Sequence, residues 1–137
     1  MVRACNKKDS FGYVVIICLS SLYFFHGQHS YANGELSKLG YDVVTIDGSV
    51  SRDTARDAVD GRVCLQGNYD PRELIEDGHH TVETVRQSAR QLLLELGPQR
   101  LIANLGEGLG GKESPTLVKA FVDAIHQESE AMISCQK

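Results

Sequence analysis

The chain has 137 residues, of which 42% are apolar and 23% charged, and carries a formal net charge of −4. This is the size and make-up of one globular domain, and it excludes a disordered polypeptide. A mildly acidic chain without a basic run gives no footing for nucleic-acid binding.

At the N-terminus Arg3, Lys7 and Lys8 precede an apolar stretch over residues 11–25. A basic flank before an apolar run has the form of a signal peptide, although no small-x-small cleavage site follows. The run is short for a membrane-spanning helix, which needs roughly 20 apolar residues, so the chain requires no membrane. Val14, Val15, Ile16 and Ile17 suit a buried strand as well, because β-branched side chains pack on a pleated surface. Both readings of this segment stand.

Strands and helices then alternate. Residues 21–25 read as a strand. Residues 30–40 read as a short helix, with Leu36 and Leu39 on one side and Gly40 at its stop. Residues 41–47, YDVVTID, are a second strand, and 51–59 a short helix with Ser51 at its N-cap. Residues 62–67, RVCLQG, are a third strand. Val82, Val85, Ala89, Leu92, Leu93 and Leu96 recur at three- and four-residue steps, so a long helix is predicted over 79–96, ended by Gly97 and Pro98. His79 and His80 are adjacent and point to different faces of that helix, as solvated residues at its start. Residues 100–105, RLIANL, are the fourth strand. Ser114 and Pro115 open the last helix as N-cap and first-turn proline, with an apolar face of Leu117, Val118, Phe121, Ala124 and Ile125.

Four strand–helix units with nearly all-apolar strands imply an α/β fold whose parallel sheet is covered on both faces. Such units close into a barrel at eight copies, so four give part of a TIM (β/α)8 barrel or a small open sheet. The cysteines, Cys5, Cys18, Cys64 and Cys135, form no C-x-x-C pair and have no histidine at zinc-finger spacing. They read as scattered reduced thiols of an intracellular protein.

The segment NLGEGLGGKES, residues 104–114, raises a sharper question. Gly106, Gly108 and Gly111 spell G-x-G-x-x-G, and Gly106 to Lys112 spell most of a Walker A loop. It follows a strand and opens a helix, as a phosphate loop should. Three features oppose that reading. Glu113 stands where a hydroxyl would hold magnesium, Glu107 adds a carboxylate where phosphates would sit, and no second strand follows to meet a ribose. The other reading is a loop at the C-terminal end of a barrel strand, where active sites are built. Glu107 then either faces the pocket or is a solvated loop carboxylate.

GYDVVTID, LQGNYDP, IANLGEGL and VKAFVDAIHQES, in that order, resemble the C-terminal part of the uroporphyrinogen decarboxylase family. There a strand ending Leu-Asp-Trp is followed by L-Q-G-N-x-D-P, then N-L-G-H-G-[IL], then a helix with a V-D-A-[VI]-H-like segment. The resemblance covers residues 23 to about 133, and residues 1–22 fall outside it, which divides the chain into a non-matching apolar segment (1–22) and a barrel portion (23–137). It implies a (β/α)8 barrel, part of which this chain supplies, in a cytoplasmic or plastid enzyme. The implied reaction removes the four acetate carboxyls of uroporphyrinogen III to give coproporphyrinogen III in haem biosynthesis. It implies no metal and no organic cofactor, because a protonated pyrrole can serve as the electron sink. The implied partners are the porphyrinogen substrate and, in many members, a second copy of the chain.

Three departures bear on activity. No P-x-W-x-M-R-Q-A-G-R stretch is present, so the arginines that grip substrate carboxylates in the family have no counterpart. Gly48 stands where the family has Trp, and Glu107 stands at the family's substrate-side His. A histidine can carry positive charge beside a carboxylate, whereas Glu107 repels one. Glu107 is therefore the one substrate-binding candidate, and no catalytic residue is assigned. Asp70, in a tight turn before Pro71, is expected to cap the following helix, Asn68 to hold the same loop by side-chain hydrogen bonds, and Gln66 to face the barrel interior, with Asp47 near a strand end. A related methyltransferase branch binds zinc through His and Cys at strand ends, but His26 has no Cys two residues on. Two classes of function remain: a portion of a decarboxylase, or a catalytically inactive barrel remnant or binding module.

Overall fold

The computed structural model describes residues 42–135 together with Gly34, Glu35, Ser37 and Lys38. The apolar stretch over 11–25 and the first expected strand lie outside the described residues. So does most of the helix expected over 30–40, of which Gly34 and Glu35 are helical. Three strand–helix units make up the rest: β1 (Val43–Thr45), α1 (Arg52–Val59), β2 (Cys64–Tyr69), a 3-10 turn (Pro71–Leu74), α2 (Val82–Leu96), β3 (Leu101–Leu105) and α3 (Pro115–Ser134). Where four units were expected, the described residues hold three.

The sheet is wholly parallel in the order β1-β2-β3. Val44 lies opposite Leu65, and Leu65 opposite Leu101, so the apolar positions share one register. Parallel neighbours need a crossover, and α1 and α2 supply the two. Val44, Ile46, Leu65, Tyr69, Leu101 and Ala103 join one buried cluster with the apolar stripes of the helices. α2 contributes Val85, Ala89, Leu92, Leu93 and Leu96, and α3 contributes Leu117, Phe121, Ala124 and Ile125. The Tyr69 and Phe121 rings meet with centroids 4.3 Å apart, which locks β2 to α3. The sheet is not covered equally on both faces: on the alternate positions Thr45 is exposed and Gln66, Ile102 and Asn104 are half-buried. Gln66 thus lies on the face away from the core cluster, beside Thr45 and Ile102 in register.

Several boundaries differ from the sequence expectation, each for a local reason. β2 runs 64–69 and not 62–67. Asp60 and Gly61 take positive φ values of 47° and 64° as α1 ends, and the Arg62 amide still donates to Val59, so the chain re-enters the sheet late. At its far end β2 keeps pairing with β3 through Asn68 and Tyr69. α2 starts at Val82 and not 79. The amides of His79 and His80 donate to Asp77 at 2.9 and 3.0 Å, and Thr81 and Thr84 cap the helix reciprocally. His79 and His80 therefore precede the helix. His79 is exposed, and His80 is half-buried with Nδ1 3.1 Å from Asp77. Val82, expected on the apolar face, is 40% exposed at the first position of the helix. Ser51 and Ser114 hold the N-cap positions but make no side-chain cap bond.

Gly67 shows why L-Q-G-N carries its glycine. It has φ +137°, and a Cβ there would stand 2.4 Å from the Ile46 carbonyl oxygen. β1 and β2 can approach this closely only if that position has no side chain.

Candidate functional site

The loops that leave the C-terminal ends of β1, β2 and β3 are bonded to one another and form one rim. The Gly106 amide donates to the Tyr69 carbonyl at 2.8 Å, and the Ser114 amide to Leu74 at 2.8 Å. Gly106 sits so close to the first loop that a Cβ would lie 2.8 Å from the Gly48 nitrogen. The first glycine of the G-x-G-x-x-G run is therefore required by packing against Gly48. An open cleft of about 400 Å³ lies beside the rim, between Gly48, Val50, Arg52, Asn68, Asp70 and Glu73.

Asn68 ties the first loop down. It is 4% exposed. Its Nδ2 donates to the carbonyls of Asp47 at 2.8 Å and Val50 at 2.9 Å. Its Oδ1 accepts from Arg52 Nε at 2.8 Å. Only an amide offers donors on one side and an acceptor on the other, so the residue type is dictated by its neighbours. The expected role of Asn68 as a loop holder is met, but the loop it holds is the one after β1 and not its own. Arg52 Nη1 continues to Glu95 Oε2 at 2.8 Å, and Gln91 donates to the other oxygen of Glu95 at 2.8 Å. Partial burial pushes the Glu95 carboxyl up, but the bonds from Gln91 and Arg52 outweigh it and hold the group below its ordinary value.

Asp70 caps the 3-10 turn as expected: its Oδ1 accepts the Arg72 amide at 2.9 Å. The same carboxylate takes the Arg72 guanidinium, with Nη2 to Oδ2 at 2.6 Å and Nε 3.0 Å from both oxygens. The bond from Arg72 holds Asp70 below the usual carboxylate range, and Asp70 in turn raises Arg72. Asp47 accepts from the amide and hydroxyl of Ser49 at 2.7 and 2.5 Å, which makes it a turn former. Tyr69 donates its hydroxyl to Glu73 at 3.1 Å. Burial first, then the Glu73 charge, pushes the Tyr69 phenol far above its ordinary value.

Glu107 is exposed on the third loop. Arg72 lies within its electrostatic reach, and Glu107 helps to stabilise the protonated guanidinium, though less than Asp70 does. An exposed carboxylate can accept N–H hydrogen bonds or a proton. It does not neutralise an incoming carboxylate. The remaining glycines of the loop hold no vacant anion seat: Glu113 accepts the amides of Gly110, Gly111 and Lys112 at 2.9, 2.8 and 3.0 Å. The nucleotide-loop reading fails on this geometry as well as on the missing hydroxyl.

The structure thus brings Asn68, Asp70 and Glu107 to one rim and leaves Gln66 on the sheet face below it. Sequence reasoning missed Arg52, Arg72, Glu95 and the seated side chain of Glu113. Arg72 had a readable signal, since an arginine two residues after an Asp-Pro turn can fold back on the cap. Arg52 and Glu95 are 43 residues apart, and nothing local links them. Among the described residues no three His, Cys, Asp or Glu side chains converge as a metal would need, and no helix is long and apolar enough to cross a membrane.

A family model for uroporphyrinogen decarboxylase matches residues 14–128, starting upstream of the boundary at 23 read from the motifs. Uroporphyrinogen decarboxylase of Ovis aries is 42% identical over 102 residues, covering 74% of this chain and 27% of the relative. The Homo sapiens protein of that name gives the same identity and coverage. That of Salinibacter ruber is 37% identical over 109 residues, covering 80% of this chain and 29% of the relative. The chain therefore spans a little over a quarter of the length of these relatives. On the match over most of its residues, the chain belongs to the uroporphyrinogen decarboxylase family.

Proposed function

We propose that residues 23–137 are the C-terminal portion of a (β/α)8 barrel that decarboxylates uroporphyrinogen III to coproporphyrinogen III, with residues 1–22 outside the barrel. The observation that carries this reading is the single rim made by the loops after three parallel strands, because barrels of this kind build their sites at that end. The named relatives supply the substrate class. In this reading the enzyme works in the cytoplasm or a plastid, and a second copy of the chain is a partner.

The chemistry asks little of this chain beyond positioning. A pyrrole protonated next to the acetate arm takes up the electron pair left as carbon dioxide departs. The protein holds the macrocycle and offsets its charge. Asn68 and Arg52 fix the first loop, Asp70 and Arg72 fix the second, and Glu107 is the substrate-side group of the third. A carboxylate at that place opposes a substrate that bears eight carboxylates. At about 4 Å one such repulsion costs on the order of 1–4 kcal/mol, according to how far water screens it.

The test is to incubate the full chain with uroporphyrinogen under anaerobic conditions and to quantify coproporphyrinogen after oxidation to the porphyrin. The chain alone, which lacks the family's arginines, is expected to give little or no product, so binding of uroporphyrinogen is titrated beside turnover, and Glu107→His should tighten it about tenfold or more, which corresponds to roughly 1.4 kcal/mol. Affinity that Glu107→His leaves unchanged sinks the reading. It would favour the second one, a catalytically inactive truncated barrel remnant or binding module, to which Glu107 lends support.

A further inference from the structure

The turn Gly110–Lys112 aims three consecutive backbone N–H groups at one carboxylate, with contacts of 2.8 to 3.0 Å. Successive amides that converge in this way form a concave anion seat, the device phosphate-binding loops use. Gly111 has φ +84°, a conformation that relies on glycine. Here the anion belongs to the chain. Its backbone is anchored one residue on, where the Ser114 amide donates to Leu74 and the Ser114 hydroxyl donates to Glu76. Glu113 is thus held over the turn from a fixed base. The amides, that of Gly110 foremost, keep its carboxyl below the usual range, so it stays ionised at neutral pH.

We propose that Glu113 is the resident anion of the β3–α3 loop, organising the Gly110–Lys112 turn and denying its amides to outside oxyanions. A tethered carboxylate competes at an effective concentration on the order of millimolar or more, so dilute phosphate cannot displace it. The glycine-rich motif is then a closed rim segment, and its resemblance to a nucleotide cradle reflects shared anion chemistry with an internal ligand. This holds whatever the substrate of the rim is, so its failure and the failure of the decarboxylase reading are separate events.

The experiment follows the backbone amides of Gly110, Gly111 and Lys112 by NMR in the full chain while inorganic phosphate, and separately acetate, is added at neutral pH. In the wild type these resonances stay still. In Glu113→Ala they move together and saturably over the concentrations that leave the wild type unmoved. A response to acetate as well as phosphate assigns the seat to oxyanions in general, and one to phosphate alone assigns it to the doubly charged ion. Wild-type amides that shift on adding phosphate overturn the proposal, as do amides in a folded Glu113→Ala chain that ignore both ions. Should Glu113→Ala not fold, Glu113→Gln keeps the shape and removes the charge. Its amides at 110–112 should then exchange with solvent several-fold faster while those of α2 are unchanged, and equal exchange in both chains refutes the role.

Discussion

Replacing Asn68 by alanine tests the central joint of the rim. The side chain is 4% exposed and makes three hydrogen bonds, two to the carbonyls of Asp47 and Val50 and one from Arg52. Alanine leaves both carbonyls without their side-chain donor, each at a cost of about 1 kcal/mol. Arg52 keeps Glu95 but loses its second acceptor, which adds about another 1 kcal/mol because the donor is charged. The sum is about 3 kcal/mol, a large share of the stability of a domain this size. Asn68→Asp discriminates further. It preserves the shape and the bond from Arg52, but turns an acceptor toward two carbonyl oxygens, so it should cost at least 1 kcal/mol near neutral pH. Urea unfolding followed by circular dichroism measures both, with the slope of the transition expected to be unchanged. A loss under about 0.5 kcal/mol for Asn68→Ala would show that water serves the three partners equally well, and the account of the joint would be wrong.

Gly106→Ala forces a methyl to within 2.8 Å of the Gly48 nitrogen. The first and third loops must separate, at a cost of about 1–3 kcal/mol in the unfolding midpoint, with the Gly48 amide resonance displaced. Tyr69→Phe keeps the ring against Phe121 and deletes the hydroxyl's bonds with Glu73 and Ser88, so it should cost about 1–2 kcal/mol, less than Phe121→Ala at about 3–5 kcal/mol. The carboxyls of Asp70, Asp77, Glu95 and Glu113 all titrate below their ordinary values. A depressed folded value means the unfolded chain binds protons first as pH falls, so the stability these groups give is whole above about pH 5 and is lost as pH falls through the depressed folded values. Urea midpoints that stay flat from pH 5 to about pH 3 would contradict that assignment.

The sequence was most informative where one residue type meets one local physical demand. The stripe from Val85 to Leu96 marked α2 because burial repeats with the helical period, and Gly97 marked its end. The unit order marked the parallel sheet, since each strand needed a crossover before the next. Boundaries slipped where side chains captured backbone groups: Asp77 took the two histidine amides and delayed α2, and the turn at Asp60 delayed β2. Asn68 was legible as a loop holder because a buried amide must find partners. Which loop it holds was not legible, because that depends on how closely the chain after β1 lies beside β2, an approach that Gly67 permits by having no side chain.

The glycine run shows the limit of reading chemistry from spacing. A motif such as G-x-G-x-x-G specifies backbone freedom, and backbone freedom serves any close approach. Here the glycines have separate tasks: Gly106 admits the backbone of Gly48, and Gly111 turns the chain so that its own carboxylate can be seated. Neither task requires a phosphate. What separates a cradle from a closed rim is the next charged side chain and where its backbone is anchored. Glu113 stood in plain view in the sequence, as a residue too acidic for a Walker loop. Its seat on three amides is made within the turn itself, and the residue after it is tied to the turn after β2 across some 40 residues of chain and one whole helix.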